Sequence, residues 1–387
     1  MSRRKRRSLT MAGLLATTAV ALAACGNSTE AGSTGSSVGS RATGIPTRTA
    51  GMAGRVTGTV WVADEDGDSL TAIDAGTSAV VTRLTGVPSP HNVQASPDGA
   101  SVWAVSGESQ AVVAIDAATH EVIGSAPTGA GPAHVVLTPD GARAFVTNSA
   151  DDSLSVYSTA SVTRAGTLAL DAGPHGLRSN GDGTLLVVAD MDAGTINLVD
   201  TRAGKVTGRI PVGGAPVQVA VEPGGRYAYV SLAQDKAVAQ VDLTTKTVTR
   251  TIRVPAAPVQ LFLTPDGTRL LSANQGSDDD PGSTVSVIDV PSMKVTDTIT
   301  TGSGPHGVVI DPSGTRAWVT NTYDDTVSVL DLTRNVAVAT IPVGDKPNGV
   351  TYSARTTATG HRPMRLEVPN YAGSGAAGHD DSGHDHG

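Results

Sequence analysis

The chain has one cysteine, Cys25, in 387 residues. An intramolecular disulfide is therefore excluded, and any exported domain must hold together without one. Aromatic residues make up only 3% of the sequence, and no window carries a sustained apolar stripe at helical spacing. Neither H-E-x-x-H nor C-x-x-C-H occurs, so the helical zinc-protease motif and covalent c-type haem have no signature here. What fills the chain is Val, Thr, Ala and Gly, with 45 Gly and 22 Pro. That mixture favours short strands and turns over helices.

Residues 1–24 read as a targeting segment. "RRKRR" (Arg3 to Arg7) is followed by the short apolar run "MAGLLATTAVALAA" (Met11 to Ala24), too short and Ala-rich for a comfortable membrane span. Leu22-Ala23-Ala24-Cys25 resembles the lipobox of bacterial lipoproteins, which implies cleavage before Cys25, lipidation of that residue and anchoring at the outer face of the cytoplasmic membrane. An ordinary cleaved signal with a chance cysteine is the alternative. Loss of the five basic residues in 1–24 takes the formal charge from −8 to −13. So acidic a protein repels phosphate backbones, which argues against nucleic acid as a partner. Residues 25–55, rich in Gly, Ser and Thr, read as a flexible tether.

The remainder repeats. Gly99, Gly141, Gly183, Gly225 and Gly267 are 42 residues apart, and Gly314 follows after 47. Pro90, Pro132, Pro174, Pro216, Pro258, Pro305 and Pro347 keep the same phase, as do Asp74, Asp116, Asp200, Asp242, Asp289 and Asp331. Each unit reads as four short strands with a P-D-G type turn after the first, which is the size of a propeller blade. "TVWVAD", "SLTAID" and "AVVTRL" (Thr59 to Leu84) lack a first strand, and "PNGVTYS" (Pro347 to Ser353) is a first strand with nothing after it. The two ends together complete one blade. The expected fold is all-β: a seven-bladed β-propeller over 56–355 with a composite closing blade, monomeric, followed by a disordered His/Asp-rich tail over 356–387.

"AFVTN" (Ala144 to Asn148), "AWVTN" (Ala317 to Asn321) and "AYVSL" (Ala228 to Leu232) resemble the YVTN family of propeller repeats. The resemblance spans about residues 57–355 and implies the fold. Members of that family bind diverse partners, so it implies no single activity.

Topology sorts the candidate residues. The approach to each first strand and the loops joining strands two and three share one face. Those loops are acidic, and Asp64, Asp66, Asp152, Asp190, Asp279 and Asp325 are the ligand-binding candidates, suited to cations or to a basic protein or small molecule. Solubility alone also explains loop aspartates. His91, His175 and His306 each follow a repeat proline at the expected channel mouth, and three imidazoles there could hold Cu or Zn. Pro-His is equally a habit of the repeat. His134 lies one position later and, by strand alternation, should point elsewhere. The tail's His379, His384 and His386 form a second, loose metal-capturing tract. No cofactor is demanded by these residues. Two functions stand open: a membrane-anchored binding module, metal-assisted, or an enzyme resembling propeller lactonases and lyases, for which Glu65 and Glu108 are the available glutamates on that face.

Overall fold

The computed structural model describes residues 56–357 and 364–373. The targeting segment, Cys25, the tether and the tail histidines lie outside the described residues.

The described residues form seven sheets with antiparallel cores, and in six of them the strands run in sequence order from the axis outward. Blade one pairs Pro347–Ser353 with Thr59–Asp64, then Ser69–Asp74 and Val80–Thr85. Chain start and chain end therefore share a sheet, as the unpaired fragments of the repeat require. Blades two to seven begin with Pro90–Ala95, Pro132–Leu137, Pro174–Ser179, Pro216–Val221, Pro258–Leu263 and Pro305–Ile310. These first strands contact one another around a closed circle and leave no inner sheet edge.

The core is divided into seven apolar clusters, one per junction between blades. Trp61, Trp103 and Trp318 hold the same position in the second strand and fill the junctions one–two, two–three and seven–one. All three are essentially fully buried. Alternation explains the layout: each second strand turns every other side chain to the next blade and the rest to the previous one.

Turn chemistry fixes the face opposite the acidic loops. Gly141 adopts φ +68°, and Asp140 accepts hydrogen bonds from Thr138 Oγ1 and the Ala142 amide. Asp74, Asp116, Asp200, Asp242 and Asp331 each accept two backbone amides of the turn between strands three and four. These aspartates are scaffold.

The tail expected to be disordered from 356 is in part ordered. Met364–Arg365 adds a fifth, parallel strand to the outer edge of blade one, and the Leu366 amide donates to Thr85 O at 2.7 Å. Leu366 is 4% exposed and sits in the junction one–two core, and the Tyr371 amide donates to Ser109 O. An apolar residue and an open strand edge in reach of each other explain the departure.

Candidate metal centre at the channel mouth

Each first strand opens with a one-residue bulge. In blade four the register runs from Pro174 opposite Asp190 to Leu177 opposite Val188, and blades three, five, six and seven shift in the same place. The residue three past each proline is apolar and packs in a junction core, Val135 and Leu177 among them. Counting back from it, the residue two past the proline faces the channel. The bulge lets the residue one past the proline face it as well.

This corrects the expectation for His134. It turns inward and meets the histidines of the preceding slot: its ring centroid lies 5.5 Å from His91 and 4.8 Å from His175. His91 and His175 are 5.4 Å apart, and His306 is 6.3 Å from His91. One nitrogen from each of His91, His134 and His175 falls within 4.8 Å of the others. A tetrahedral ion with metal–nitrogen bonds of about 2.1 Å would draw such atoms to about 3.4 Å. His306 stands beside this trio as a fourth ring.

Hydrogen bonds assign the tautomers. Glu65 Oε1 lies 3.1 Å from His91 Nδ1. Burial opposes ionisation of Glu65, but its bond with His91, the His91 charge, Asn348 and Lys346 together bring its pKa down to about 2. An ionised carboxylate only accepts, so His91 Nδ1 carries the hydrogen, and in the neutral ring Nε2 then holds the lone pair. That Nε2 is buried without a partner. His175 Nδ1 donates to Val217 O at 3.1 Å, which likewise leaves Nε2 basic. His134 has both ring nitrogens buried and unpartnered. His306 bonds the Asn348 backbone and leaves Nδ1 unpartnered.

Three of the rings, His134, His175 and His306, are held neutral. Burial, then neighbouring imidazoles and Arg178, push His134 well below the ordinary histidine value. Burial and His91 bring His175 to about 4, and burial with His91 and His175 brings His306 to about 3. Neutral imidazoles beside one carboxylate hydrogen-bonded from behind form a donor set suited to Zn²⁺ or Cu²⁺.

The slot of His134 also carries Asn92 and Gln260, and these differ in use. Asn92 Oδ1 accepts the Val135 amide of the next blade at 3.3 Å, and Gln260 Oε1 accepts the Val308 amide at 3.1 Å. They seal the bulge of a neighbour. His134 seals nothing.

The acidic candidates separate. Asp64 and Asp190 point inward and are fully buried instead of facing a ligand. Asp64 accepts from Ser69 Oγ, Thr71 Oγ1 and the Gly344 amide, and Asp190 accepts from Thr195 Oγ1 and Asn197 Nδ2. In other blades the same position is Asn148, Asn274 or Asn321, each bonding the hydroxyls of strand three. Burial raises Asp64 to about 6 and Asp190 to about 8, against the pull of those bonds. Asp152 and Asp325 are exposed, yet each accepts a backbone amide leading into the next blade, from Gly173 and Lys346. Asp66 Oδ1 lies 3.4 Å from Lys346 Nζ, which also reaches Glu65 at 3.7 Å. Asp279 is exposed in the longest loop. The aspartates therefore do not converge, whereas the histidines do. Glu65 and His134 acquire their roles only from the fold. The apolar residue three past each proline was the available sign for His134.

Residues 98–269 match the family model described as YNCE-like beta-propeller. Over that stretch, a little under half of the chain, the sequence is similar to YNCE-like propellers, and the remaining blades repeat the same four-stranded unit. No curated protein matches the chain. Several solved structures share the ring. Kuenenia stuttgartiensis hydrazine synthase is 22% identical, with 69% of this chain and 90% of that chain covered and a TM-score of 0.61. A putative 6-phosphogluconolactonase from Bacteroides fragilis is 18% identical over 77% of this chain and 98% of its own, with a TM-score of 0.65. Apo AztD from Citrobacter koseri is 16% identical over 77% and 98%, with a TM-score of 0.60. At these identities the likeness concerns the fold alone.

Proposed function

We propose that this propeller is an exported, lipid-anchored binding protein that holds one Zn²⁺ or Cu²⁺ ion through His91, His134 and His175. The observation that carries the reading is His134, with two buried, unpartnered nitrogens facing two other basic imidazole nitrogens. Leaving a buried polar atom unpaired costs about 1–3 kcal/mol, and a bound ion would offset that cost. Glu65 supports the same reading. It holds His91 in the metal-binding tautomer from the far side of the ring, the usual arrangement behind a metal-ligating histidine.

A lactonase-type enzyme would need a free base next to metal-bound water. Glu65 is the one carboxylate hydrogen-bonded to the cluster among the described residues, and His91, Asn348 and Lys346 already engage it. Binding is therefore the favoured reading.

The test is metal titration of chelator-stripped protein truncated after residue 373, which removes the tail histidines. One ion per chain is expected. His134→Ala and His175→Ala should each weaken binding at least about tenfold, as loss of one of three ligands does, and His306→Ala should weaken it less. Equal uptake by the parent and His134→Ala would overturn the proposal.

A further inference from the structure

We propose that the opposite end of the channel binds a small organic anion, with its oxyanion head on Arg178 and its apolar body against Phe262 and Val309. This site is separate from the histidine cluster and does not rest on metal being bound.

Arg178 is four residues past the blade-four proline. It follows Leu177, whose side chain packs in the junction core, so its own side chain turns into the channel. The same slot in the other six blades holds Gln94, Val136, Ala220, Phe262, Val309 and Thr351. That tier contains one cation and no acid. A cavity of about 350 Å³ opens there, lined by Arg178, Phe262, Val309, Gln94 and Thr351 among others. A second pocket of about 210 Å³ adjoins it and shares Arg178 and Phe262.

Among the described residues no carboxylate lies within ion-pair distance of Arg178, and its one hydrogen bond is Nη1 to Leu177 O, its own neighbour, at 3.1 Å. Other arginines are engaged: Arg209 pairs with Asp171, Arg226 with Asp242, and Arg269 donates to Leu332 O. The nearest titratable group inward is His134, which is held neutral. Burial alone lowers Arg178 to about 10, so it keeps its charge at neutral pH.

Arg178 is half-buried at the channel wall, so without a described carboxylate in reach only water compensates its charge, and an anion can displace that water. The two amides one tier inward make the surroundings still poorer in acceptors. Gln218 and Gln260 spend their oxygens on backbone amides and leave Nε2 buried without a partner. Donors on three successive blades, facing an apolar wall, select a ligand that only accepts hydrogen bonds and carries hydrocarbon. The planar guanidinium fork matches two oxygens of a carboxylate or of a phosphate ester.

The experiment uses the full chain, stripped of metal, titrated by calorimetry with benzoate, phenyl phosphate and the neutral benzyl alcohol. Saturable binding of at least one anion is expected, with benzyl alcohol at least tenfold weaker; which anion binds better distinguishes a carboxylate from a phosphate site. Arg178→Gln should lose at least tenfold. Gln94→Glu offers the guanidinium an internal partner, so it should weaken anion binding similarly while raising the melting temperature, which separates lost binding from lost fold. No saturable binding of either anion by the parent, or equal binding by the parent and Arg178→Gln, overturns the proposal.

Discussion

His134 and His175 meet with ring centroids 4.8 Å apart, although they sit in different blades and at different distances past their prolines. The bulge at the start of each first strand is what makes this contact. It brings two consecutive positions onto the channel, so one ring descends from the upper slot and the other from the lower.

Glu65→Gln tests the role of the carboxylate. The amide can still reach His91 but no longer favours hydrogen on Nδ1. Metal affinity is expected to fall roughly 10- to 100-fold, with little change in melting temperature, as read by competition with a chromophoric chelator.

Metal uptake should resist acid. Ligand histidines must be neutral, and protons compete only below their pKa. Burial holds His175 near 4, so uptake should persist to about pH 5, below the ~6.5 expected of exposed imidazoles. The same shift acts on stability. These rings are protonated more readily in the unfolded chain, so stability is complete above ~6.5 and declines as pH falls toward 4. Half-loss of uptake near pH 6.5 would contradict this.

Asp190→Asn should stabilise the fold. Asp190 is raised to about 8, far above its value in the unfolded chain. Its contribution is complete below pH ~4 and is lost as pH rises through 8. At pH 7 the penalty is on the order of a few kcal/mol. Asparagine, the residue used at Asn148, Asn274 and Asn321, carries no such cost. Thermal melts from pH 5 to 9 should show the variant gaining most at the alkaline end.

Leu366→Asp should detach the segment that covers the outer edge of blade one. A charge in the junction core costs several kcal/mol, and the strand Val80–Thr85 is left open. Lower melting temperature and concentration-dependent self-association by light scattering are expected, with metal stoichiometry unchanged.

Cys25→Ser tests the anchor. The variant should leave the membrane fraction for the soluble exported fraction. Retention in the membrane would show that Cys25 does not hold it there.

Much of the architecture was legible because it repeats. Proline, glycine and aspartate in fixed phase mark turns whose chemistry is local, so blade number and the composite closure follow from position alone. The site was legible only in part. His91 and His175 could be placed at the channel mouth, but alternation counted from the proline misplaced His134, since it ignored the bulge. The loop aspartates looked alike as letters. Asp64 and Asp190 are buried acceptors for strand-three side chains, while Asp152 and Asp325 clamp the next blade, a distinction set by burial.

The amino-acid order by itself determined seven four-stranded units, their phase and the joining of the two ends, because turns and alternation depend on residues a few positions apart. The tertiary structure alone decided which imidazoles face one another, which carboxylates are buried and that, among the described residues, no carboxylate reaches Arg178. Those outcomes depend on closing the ring, which brings to one axis residues that are 40 or more positions apart along the chain.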